Sequence, residues 1–464
     1  MAAEPKTWSN RSPGDLSTEL PEISATPVEP VLAASAAIAR EWARAPLNQR
    51  IVFLRSAQSA LAAHKDELAR GISIETGKPI TEALGEMCAV IAKFDLSIED
   101  AQQHLVACEI AGGPHPAQVR RLARGPAVVI APFNFPLHLG NGALVPHLLA
   151  GNPVIFKPSP LAAVVAARYA AIVAAELPDG VFQLAQGGGE EAQALCHDPR
   201  VRAICFTGSL PVGRALAQSI AADFSKELAL ELGGRNAAIV CADADLALAA
   251  EAVAEGACLT CGQRCNATSR VLVDARVARD FEPLLIAAFA KFSPGDPLLP
   301  GTKLGPLISA AAVARYERLI AARADWIIPG GVPGEVGGKR GHYVLPALRR
   351  GAMAPDAECF VPVVELETFT DLDDAIARHN TTPFGLSASV FTRSEATFQQ
   401  LGDELRVGNL YANIATTFSP STLPFGGLGE SGNGRPGGRG FIRFTTVEQA
   451  VQVRAGSFAG ELPR

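Results

Sequence analysis

Residues 127–157 read AVVIAPFNFPLHLGNGALVPHLLAGNPVIFK, and their pattern decides the fold. A short apolar run at 127–130 is followed by a stretch of helical length at 141–150 and by another short apolar run at 154–156. Continuous apolar strands that alternate with helices are typical of a parallel sheet covered on both faces. The stretch therefore predicts the first β–α–β unit of an α/β domain that binds a nucleotide.

The alternation continues on the C-terminal side of this stretch and then starts again. A second α/β unit runs from about residue 236 to residue 410, and two such units imply a cleft between them. The remaining predicted elements are helices at 162–176, 190–197 and 212–222, and strands at 181–184, 203–206, 270–273, 363–369, 387–391 and 408–411.

Four further segments flank or interrupt these units. Residues 1–28 are rich in Pro, Ser and Glu and predict a surface arm, whereas apolar residues at intervals of three and four predict helices over 29–105. The glycines and prolines of 329–341 predict a loop. Residues 445–453 alternate as a strand does, and we expect this strand to pair with another part of the molecule or with a second subunit.

Composition excludes several classes of protein. The chain has 464 residues, of which 48% are hydrophobic, and 41 basic against 47 acidic side chains give a net charge of −6. An acidic balance disfavours nucleic acid as a partner. The sequence shows neither a secretory signal nor an apolar stretch of about twenty residues, so we expect a cytoplasmic protein that does not bind membranes.

The nine cysteines are an odd number spread through a long chain, which fits reduced thiols better than a disulfide framework. Cys258, Cys261 and Cys265 have the spacing C-x-x-C-x-x-x-C, which in principle suits zinc or part of an iron–sulfur cluster. No nearby fourth Cys or His completes the set. We expect no metal, because packing of an Ala-rich helix explains the first two thiols.

Cys265 ends the run GQRC, and Glu231 begins the run ELGG earlier in the chain. A thiolate is a strong nucleophile, and a distant carboxylate could activate water to release a bound acyl group. The alternative is that Cys265 is one more small buried residue. Asn134 lies between aromatic residues and prolines and is suited to donate to an oxyanion, although Asn beside Pro is also a frequent turn residue.

Two features suit a nucleotide. Gly208 and Ser209 follow a predicted strand, and with Gly213 they form a glycine-spaced turn at a helix N-terminus that Ser209 could cap. Lys157 ends another strand, where nucleotides bind in open α/β sheets. The alternatives are an ordinary turn and a surface lysine. The glycines at 187–189 also fit a loose phosphate-loop pattern, but no acidic residue ends the next strand, so we interpret them as a turn.

Together these residues resemble the aldehyde dehydrogenase superfamily. The motifs occur in the order and at the spacing of that family and span about residues 30–450. They are FNFP at 133–136, KPS at 157–159, FTGS at 206–209, ELGG at 231–234, GQRC at 262–265, ECF at 358–360 and PFGG at 424–427.

The resemblance implies an α/β fold with a Rossmann-like cofactor domain, an α/β catalytic domain and a small β oligomerisation domain. By this resemblance the enzyme is a homodimer or a homotetramer. The implied boundaries are 1–105 and 124–232 for the cofactor domain, 233–435 for the catalytic domain, and 106–123 and 436–464 for the oligomerisation segments.

The resemblance also implies roles for individual residues. Cys265 would be the nucleophile, Glu231 the general base and Asn134 the side-chain donor to the oxyanion. The cofactor would be NAD or NADP. Lys157 would hold the adenosine ribose, Ser209 and Gly213 would lie beside the pyrophosphate, and Glu358 and Phe360 would position the nicotinamide end. The full set of implied cofactor residues is Phe133, Lys157, Ser159, Pro160, Gly208, Ser209, Gly213, Leu232, Glu358 and Phe360.

The implied reaction oxidises a small-molecule aldehyde to a carboxylic acid through a thiohemiacetal and a thioester on Cys265. Glu231 favours this hydrolytic branch, because relatives that pass the acyl group to coenzyme A commonly lack that base. The alternatives are an acylating dehydrogenase or a reductase on the same fold, and a catalytically idle relative that only binds.

Within the superfamily, residues 134–142 and 426–436 are most similar to the N-succinylglutamate 5-semialdehyde dehydrogenases, which suggests a carboxylate-bearing semialdehyde as substrate. Arg264 could offer a cation to such a substrate, or it could belong to a structural ion pair.

The chain departs from the family pattern in three places. Pro160 stands where NAD-using relatives usually have a Glu that accepts from the ribose hydroxyls. Loss of that carboxylate also removes a charge that would repel a 2′-phosphate, so NADP becomes possible. Val361 replaces the usual Gly after Phe360 and adds bulk beside the nicotinamide. The beginning is short and lacks the first strands of many relatives.

Overall fold

The computed structural model describes residues 6–112, 114–354 and 358–454. The predicted arm, whose first five residues lie outside the described part, forms no domain of its own and contacts two distant parts of the chain. The Asn10 side chain donates to the Pro160 carbonyl at 2.7 Å, and the Pro13 carbonyl accepts from the His342 N–H at 2.9 Å. The arm differs from the expectation in having regular structure, because two antiparallel pairs form, β1 with β4 and β2 with β3. These strands are β1 (Thr7–Trp8), β2 (Arg11–Ser12), β3 (Asp15–Glu19) and β4 (Ile23–Ser24).

Four helices follow the arm where the apolar periodicity predicted helical structure. The longest, α4, buries Ala83, Met87, Val90 and Phe94 on one face, the spacing of a helix that packs along a core. No helix in the described ranges is both long and apolar enough to cross a membrane. The four helices are α1 (Val28–Arg44), α2 (Leu47–Ala63), α3 (Lys65–Thr76) and α4 (Ile80–His104).

A three-stranded antiparallel sheet joins the C-terminal tail to the segment after α4. The predicted tail strand is confirmed, and its partner is a strand of the same chain. The last ten residues of the implied oligomerisation segment, 455–464, lie outside the described part of the chain. The strands are β5 (Cys108–Ile110), β6 (Ala117–Ala123) and β26 (Thr446–Gln452), in the order β26-β6-β5.

The first large sheet contains the strands predicted from residues 127–206, each within one residue of its expected ends. Two of its strands, β11 and β24, were not predicted. The sequence of β11, ELALE, has a glutamate at each end, and β24 has only two residues. The sheet is parallel except for β24 at one edge. Its strands are β7 (Ala127–Ile130), β8 (Val154–Lys157), β9 (Phe182–Leu184), β10 (Ala203–Thr207), β11 (Glu227–Glu231) and β24 (Gly432–Asn433).

The strand order of this sheet, β24-β11-β10-β7-β8-β9, places a switch point between β7 and β10. After β7 the chain adds β8 and β9 on one side of it, and then β10 and β11 on the other side. In open parallel sheets ligands bind beyond the carboxyl ends of the strands at such a point. The helices of this layer are α5 (His138–Leu149), α6 (Ala163–Ala174), α7 (Gly189–His197) and α8 (Leu210–Ile220).

The second large sheet has seven strands in the order β14-β17-β18-β13-β12-β20-β21, all parallel except β14. The four strands predicted in this region are present. The strands are β12 (Asn236–Val240), β13 (Thr268–Asp274), β14 (Asp325–Gly331), β17 (Leu345–Arg350), β18 (Val363–Phe369), β20 (Ser387–Phe391) and β21 (Asn409–Ala412). Its helices are α9 (Leu246–Cys258), α10 (Ala278–Phe289), α11 (Ala310–Ile320), α12 (Leu372–His379) and α13 (Glu395–Glu404).

The prediction of a loop at 329–341 was wrong. β14 extends to Gly331, and a short hairpin of β15 (Glu335–Val336) and β16 (Lys339–Arg340) follows. Gly337 and Gly338 have φ values of 59° and 78°, so both adopt the left-handed conformation that a two-residue hairpin turn favours. The glycines that indicated a loop therefore make the turn of a hairpin.

Short antiparallel pairs complete the fold near the junction of the large sheets. One pair consists of β19 (Phe384–Gly385) and β23 (Leu428–Gly429), and the other of β22 (Pro424–Phe425) and β25 (Gly437–Gly438). The boundaries of the three domains stay predictions. One strand placed in the implied catalytic segment, β24, pairs with β11 of the first sheet.

Asn152 provides a test of how the first sheet is joined to the C-terminal segment. This fully buried side chain donates to the Thr445 carbonyl at 2.8 Å and accepts from the Gly125 N–H at 3.0 Å. Because Asn152→Ala leaves buried polar groups unpaired, we expect a loss of about 2–3 kcal/mol of stability, measured by denaturant unfolding. Asn48→Ala, at an exposed position of α2, is the control. Equal midpoints for the two variants would contradict the assignment.

Candidate active site

Two cavities meet between the large sheets. The sheet-edge cavity has a volume of about 390 Å³ and lies beyond the carboxyl ends of β7, β8, β10 and β11. The helix-side cavity has a volume of about 420 Å³ and lies against α4 and α5. Four residues line both cavities, namely Leu139, Thr207, Glu231 and Cys265.

Cys265 reaches this junction through a tight turn after α9. Thr260 and Cys261 have positive φ values of 52° and 55°, and the following Gly262 has a φ of 69°. A side chain at Gly262 would meet the backbone of Val361 at 2.5 Å, so only glycine fits there. Cys265 is partly exposed and lines both cavities.

A buried asparagine holds the Cys265 loop in place. The Asn236 amide donates to the Cys265 carbonyl and to the Ala267 carbonyl, both at 2.9 Å. Its oxygen accepts from the Ser387 backbone N–H at 3.1 Å, which ties the loop to β20. The sequence interpretation missed Asn236, although a polar residue at the start of an otherwise apolar strand was a visible signal.

The Glu231 carboxyl group is the last side chain of β11 and lies beside Cys265. Burial raises the pKa of Glu231 to about 7, and the nearby thiol opposes this rise. Among the described residues, neither Glu231 oxygen has a hydrogen bond of regular geometry. A carboxyl group in this state is suited to accept a proton near neutral pH.

The resting state of the sulfur differs from the thiolate that the sequence interpretation assumed. Burial raises the pKa of Cys265 well above its ordinary value, and the negative charge of Glu231 raises it further. The protonated thiol is therefore favoured here. Attack by this sulfur requires a neighbouring group that takes its proton, and Glu231 is the group in that position.

Asn134 is attached directly to the Cys265 loop. Its amide nitrogen donates to the Gln263 carbonyl at 2.8 Å, and its oxygen accepts from the Phe135 N–H at 3.1 Å. Gln263 is itself buried and accepts from the Ile308 N–H at 3.0 Å. An amide nitrogen has two hydrogens, so one of those on Asn134 remains for another acceptor in the sheet-edge cavity.

Lys157 and its neighbours form one end of the sheet-edge cavity. The Lys157 ammonium donates to the Gly187 carbonyl at 2.6 Å and to the Pro158 carbonyl at 3.2 Å, and burial lowers its pKa to about 8. Ser159 caps the short helix Pro160–Ala162. An ammonium group has three hydrogens, so Lys157 has a donor left for a ligand.

The arm covers the outer side of this end. Trp8 and Asn10 donate from their side chains to the Pro160 carbonyl, at 3.3 Å and 2.7 Å. The glycines at 187–189 form the turn before α7, as predicted, and the Glu191 carboxylate accepts from the Gly188 N–H at 2.7 Å.

The turn at Gly208 and Ser209 opens α8 beside the cavity. Ser209 occupies the N-cap position, but the prediction that its side chain caps the helix was wrong, since no such hydrogen bond forms. The first turn of α8 contains no acidic residue, so its amide end is free to face an anion. A side chain on Gly213 would meet the Leu232 side chain at 2.6 Å, so a glycine here lets α8 approach the residue that follows β11.

Glu358 and Phe360 form the opposite end of the sheet-edge cavity. The Glu358 carboxylate accepts from the Gly234 N–H at 3.3 Å, and burial raises its pKa to about 7. The rings of Phe360 and Phe133 meet edge to face at 6.1 Å. Val361 is buried in the core of the second sheet and does not line the sheet-edge cavity.

The residues of the sheet-edge cavity fit a dinucleotide. A lysine with an unused donor lies at one end, a helix N-terminus without acidic residues lies in the middle, and a carboxylate with two aromatic rings lies at the other end. These groups suit a ribose, a pyrophosphate and a second ribose with its ring. The cavity therefore brings together the implied cofactor residues Phe133, Lys157, Ser159, Pro160, Gly208, Ser209, Leu232, Glu358 and Phe360.

Arg264 lies on the wall of the helix-side cavity, and the structure decides between its two predicted roles. Its guanidinium pairs with Glu82 at 2.7 Å, donates to the Thr260 hydroxyl at 3.0 Å, and lies over the Phe135 ring at 4.9 Å. The positive charge of Arg264 is therefore balanced within the protein. The other two cysteines of the predicted cluster, Cys258 and Cys261, are packed in the core of the second sheet.

The sequence interpretation missed the charged lining that α4 contributes. Glu82, Glu86 and Lys93 line the helix-side cavity together with Gly85 and Ala89. These positions recur every three or four residues, so they form one stripe of the helix. Charged residues at such a spacing were the signal that could have identified them.

Comparison with known proteins identifies the family. A sequence model of the aldehyde dehydrogenase family matches residues 3–451. The chain is 36% identical over 406 residues to an N-succinylglutamate 5-semialdehyde dehydrogenase of Yersinia pestis bv. Antiqua (strain Angola), a match that covers 85% of this chain and 79% of that protein.

Solved structures are similar over nearly the whole chain. An NAD-dependent aldehyde dehydrogenase from Sinorhizobium meliloti has a TM-score of 0.91 and 30% identity, covering 98% of this chain and 93% of its own. An indole-3-acetaldehyde dehydrogenase of P. syringae, solved in complex with NAD+ and IAA, has a TM-score of 0.91 and 28% identity, covering 97% of this chain and 93% of its own. The chain therefore belongs to the aldehyde dehydrogenase family and is an NAD(P)-dependent enzyme of that family.

Proposed function

We propose that this enzyme oxidises a carboxylate-bearing aldehyde to a carboxylic acid, with Cys265 as nucleophile, Glu231 as general base and Asn134 as oxyanion donor. One observation carries the proposal: Cys265 and Glu231 line both cavities at the place where they meet. An aldehyde in the helix-side cavity and a dinucleotide in the sheet-edge cavity would then approach the same sulfur from opposite sides.

The first step follows from the protonated state of the thiol. The Glu231 carboxylate accepts the Cys265 proton as the sulfur bonds to the aldehyde carbon, which gives a thiohemiacetal. The spare amide hydrogen of Asn134 and the Cys265 backbone N–H donate to the oxygen that becomes negative. Asn134 is preorganised for this task, because its hydrogen bond to the Gln263 carbonyl fixes the amide against the loop.

The second half of the reaction returns the enzyme to its starting state. Bound NAD(P)+ supplies the acceptor for the hydride that leaves the substrate carbon, and a thioester on Cys265 remains. Glu231, after releasing its first proton to solvent, takes a proton from water, and the resulting hydroxide attacks the thioester. The protonated Glu231 returns this proton to the departing sulfur, so the products are the carboxylic acid and the free thiol of Cys265.

The proposed cofactor contacts follow the order of groups along the sheet-edge cavity. Lys157, Ser159 and Pro160 would lie at the adenosine ribose, and Gly208, Ser209 and Gly213 at the pyrophosphate. Glu358, Phe360, Phe133 and Leu232 would hold the nicotinamide half. The buried glutamate Glu358 suits ribose hydroxyls, because its second oxygen is a free acceptor beyond the hydrogen bond from Gly234.

The substrate class has support from the similar proteins, since one of them is described as acting on N-succinylglutamate 5-semialdehyde. Such a molecule is an aldehyde that also carries carboxylates. The proposed partner is thus a small-molecule semialdehyde. Assembly as a homodimer or a homotetramer and a cytoplasmic location stay predictions.

Replacement of Cys265 tests its role in catalysis separately from the binding of the cofactor. We expect Cys265→Ala to lose aldehyde-dependent NAD(P)H formation by at least about a thousandfold, because no other group at the junction forms the thiohemiacetal. Cofactor binding, measured as a thermal shift, should persist. Cys88→Ala, at an exposed position of α4, is the matched control and should keep full activity. Retained turnover in Cys265→Ala would refute the proposed nucleophile.

Replacement of the base tests hydrolysis of the thioester. Because Glu231 also takes the thiol proton in the first step, we expect Glu231→Gln to form the thioester slowly and then to retain it. Acyl-enzyme should therefore build up during a long incubation with aldehyde and cofactor, detectable by mass spectrometry as an added acyl group on Cys265. In the wild type, turnover limited by hydrolysis should rise with pH up to about 7 and then level off, because burial raises the pKa of Glu231 to about 7 and only the carboxylate accepts a proton.

Glu231→Gln should lose this dependence on pH. Coenzyme A should not accelerate product formation by the wild type. Strong acceleration with a thioester product would instead support an acylating enzyme, and cofactor binding without turnover on any aldehyde would support an idle relative.

A substitution at Pro160 tests whether this position sets the preference between NAD and NADP. With no carboxylate at this position to repel a 2′-phosphate, we expect Kd for NADP to be no weaker than Kd for NAD. Pro160→Glu should shift the ratio of the two Kd values towards NAD by about tenfold, through repulsion between like charges. Parallel titrations of the two cofactors measure both ratios, with Pro178→Glu, remote from the sheet-edge cavity, as the control. An unchanged ratio in Pro160→Glu would remove this interpretation.

A further inference from the structure

Several charged side chains lie at or beside the helix-side cavity, and two of the three cations among them have a carboxylate partner in the described part of the chain. Arg264 pairs with Glu82 at 2.7 Å. Lys78 pairs with Glu86, whose other oxygen accepts from the backbone N–H groups of Leu137 and His138, each at 3.1 Å. The opposite charges within each pair balance, so neither pair offers a net charge to a substrate.

Lys93 is the remaining cation. It lies on the same stripe of α4, lines the cavity, and is 2% exposed. Its ammonium donates to the Gly438 carbonyl at 2.9 Å, and no carboxylate of the described residues lies within 4 Å of it. Two of its three hydrogens therefore have no partner in the described part of the protein.

The surroundings of Lys93 make the positive charge on its ammonium group unfavourable in free energy. The carboxylate that acts on it most strongly is Asp100, which already accepts from the Gly440 N–H at 2.7 Å, and Arg439 opposes that attraction. Burial lowers the pKa of Lys93 to about 8. A buried cation without a paired anion is unfavourable, and a ligand with a negative charge would remove that cost.

His138, another residue that lines this cavity, also has an unpartnered polar atom. The Nδ1 atom of His138 is shielded from solvent and has no hydrogen-bond partner among the described residues. Burial lowers the pKa of His138 to about 4, so the ring is neutral at physiological pH. A neutral imidazole has one N–H donor and one acceptor, and it can therefore complete the hydrogen bonds of an anion beside a lysine.

We propose that Lys93 determines the charge preference of this enzyme, and that its ammonium, assisted by His138, receives the carboxylate of an aldehyde whose carbonyl end reaches Cys265. Arg264 is not that receptor, because Glu82 balances its charge. This inference rests on the proposed function and names the residue that selects the substrate class. Ser419 and Ser421 also line the cavity and offer hydroxyl groups to the rest of a polar substrate.

The test compares two aldehydes that differ only in the group at the far end. One is 5-oxopentanoate, and the other is pentanal, which has a methyl group in place of the carboxylate. Steady-state kcat and KM are measured for the wild type, Lys93→Gln, Lys93→Arg and Lys93→Met. Lys303→Met, which removes an exposed lysine outside the helix-side cavity, is the control.

We expect Lys93→Gln to lower kcat/KM for 5-oxopentanoate by about 10- to 100-fold, mainly through KM, the size of a lost charge-assisted hydrogen bond. The value for pentanal should change less than roughly twofold, because an aldehyde without a carboxylate does not use the ammonium. Lys93→Arg should recover most of the loss, since it restores the charge. Lys93→Gln keeps a donor for the Gly438 carbonyl, so it preserves the structural contact if Lys93→Met does not fold.

The outcomes separate this inference from the proposed function. Equal losses for both aldehydes in Lys93→Gln would show a structural role and overturn the inference, as would an unchanged preference for 5-oxopentanoate. If the wild type shows no preference between the two aldehydes, both the carboxylate-bearing substrate class and the role of Lys93 are wrong. If the wild type oxidises neither of them nor any other aldehyde, the proposed function itself fails.

Discussion

The chemistry that we propose for this enzyme depends on the proximity of the Glu231 carboxyl group to the Cys265 thiol. Glu231 ends a strand of the first sheet, whereas Cys265 lies in a loop that leads into the second sheet. Burial raises the pKa of both groups, and the negative charge of Glu231 raises the pKa of Cys265 further. Burial therefore makes it costly to ionise either group. Proton transfer between them keeps the total charge constant. The site therefore requires that the Cys265 loop is held at a fixed position relative to both sheets. The hydrogen bonds that Asn236 and Asn134 donate to this loop hold it there.

The two cavities are lined by different parts of the fold, and we propose that they bind different ligands. The sheet-edge cavity uses the ends of parallel strands and a helix N-terminus, features that any open α/β sheet with this strand order provides. The helix-side cavity is lined by side chains of α4 and α5, several of which are charged. In the proposed function, cofactor binding depends on the architecture of the first sheet, whereas substrate choice depends on a few side chains such as Lys93.

Several expectations failed for physical reasons that single residues make clear. Ser209 was expected to cap α8 because Ser is a common N-cap residue, but its side chain makes no such hydrogen bond. Residues 329–341 looked like a loop because glycine marks turns in general, and the turn at Gly337 and Gly338 belongs to a hairpin. Local preference limits what a residue can do, and packing then selects among the possibilities.

The amino-acid sequence by itself determined the α/β class, the positions of eight strands of the two large sheets and the candidate residues Cys265, Glu231 and Asn134, since periodicity and motif spacing are properties of the chain. Only the tertiary structure decided how charges are shared. Whether Arg264 is free or paired depends on Glu82, far away in the chain, and the isolation of Lys93 depends on which carboxylates fold near it. Ion pairing and the burial of a charge depend on which residues are close together in space, and the pattern of residues along the sequence does not give these distances.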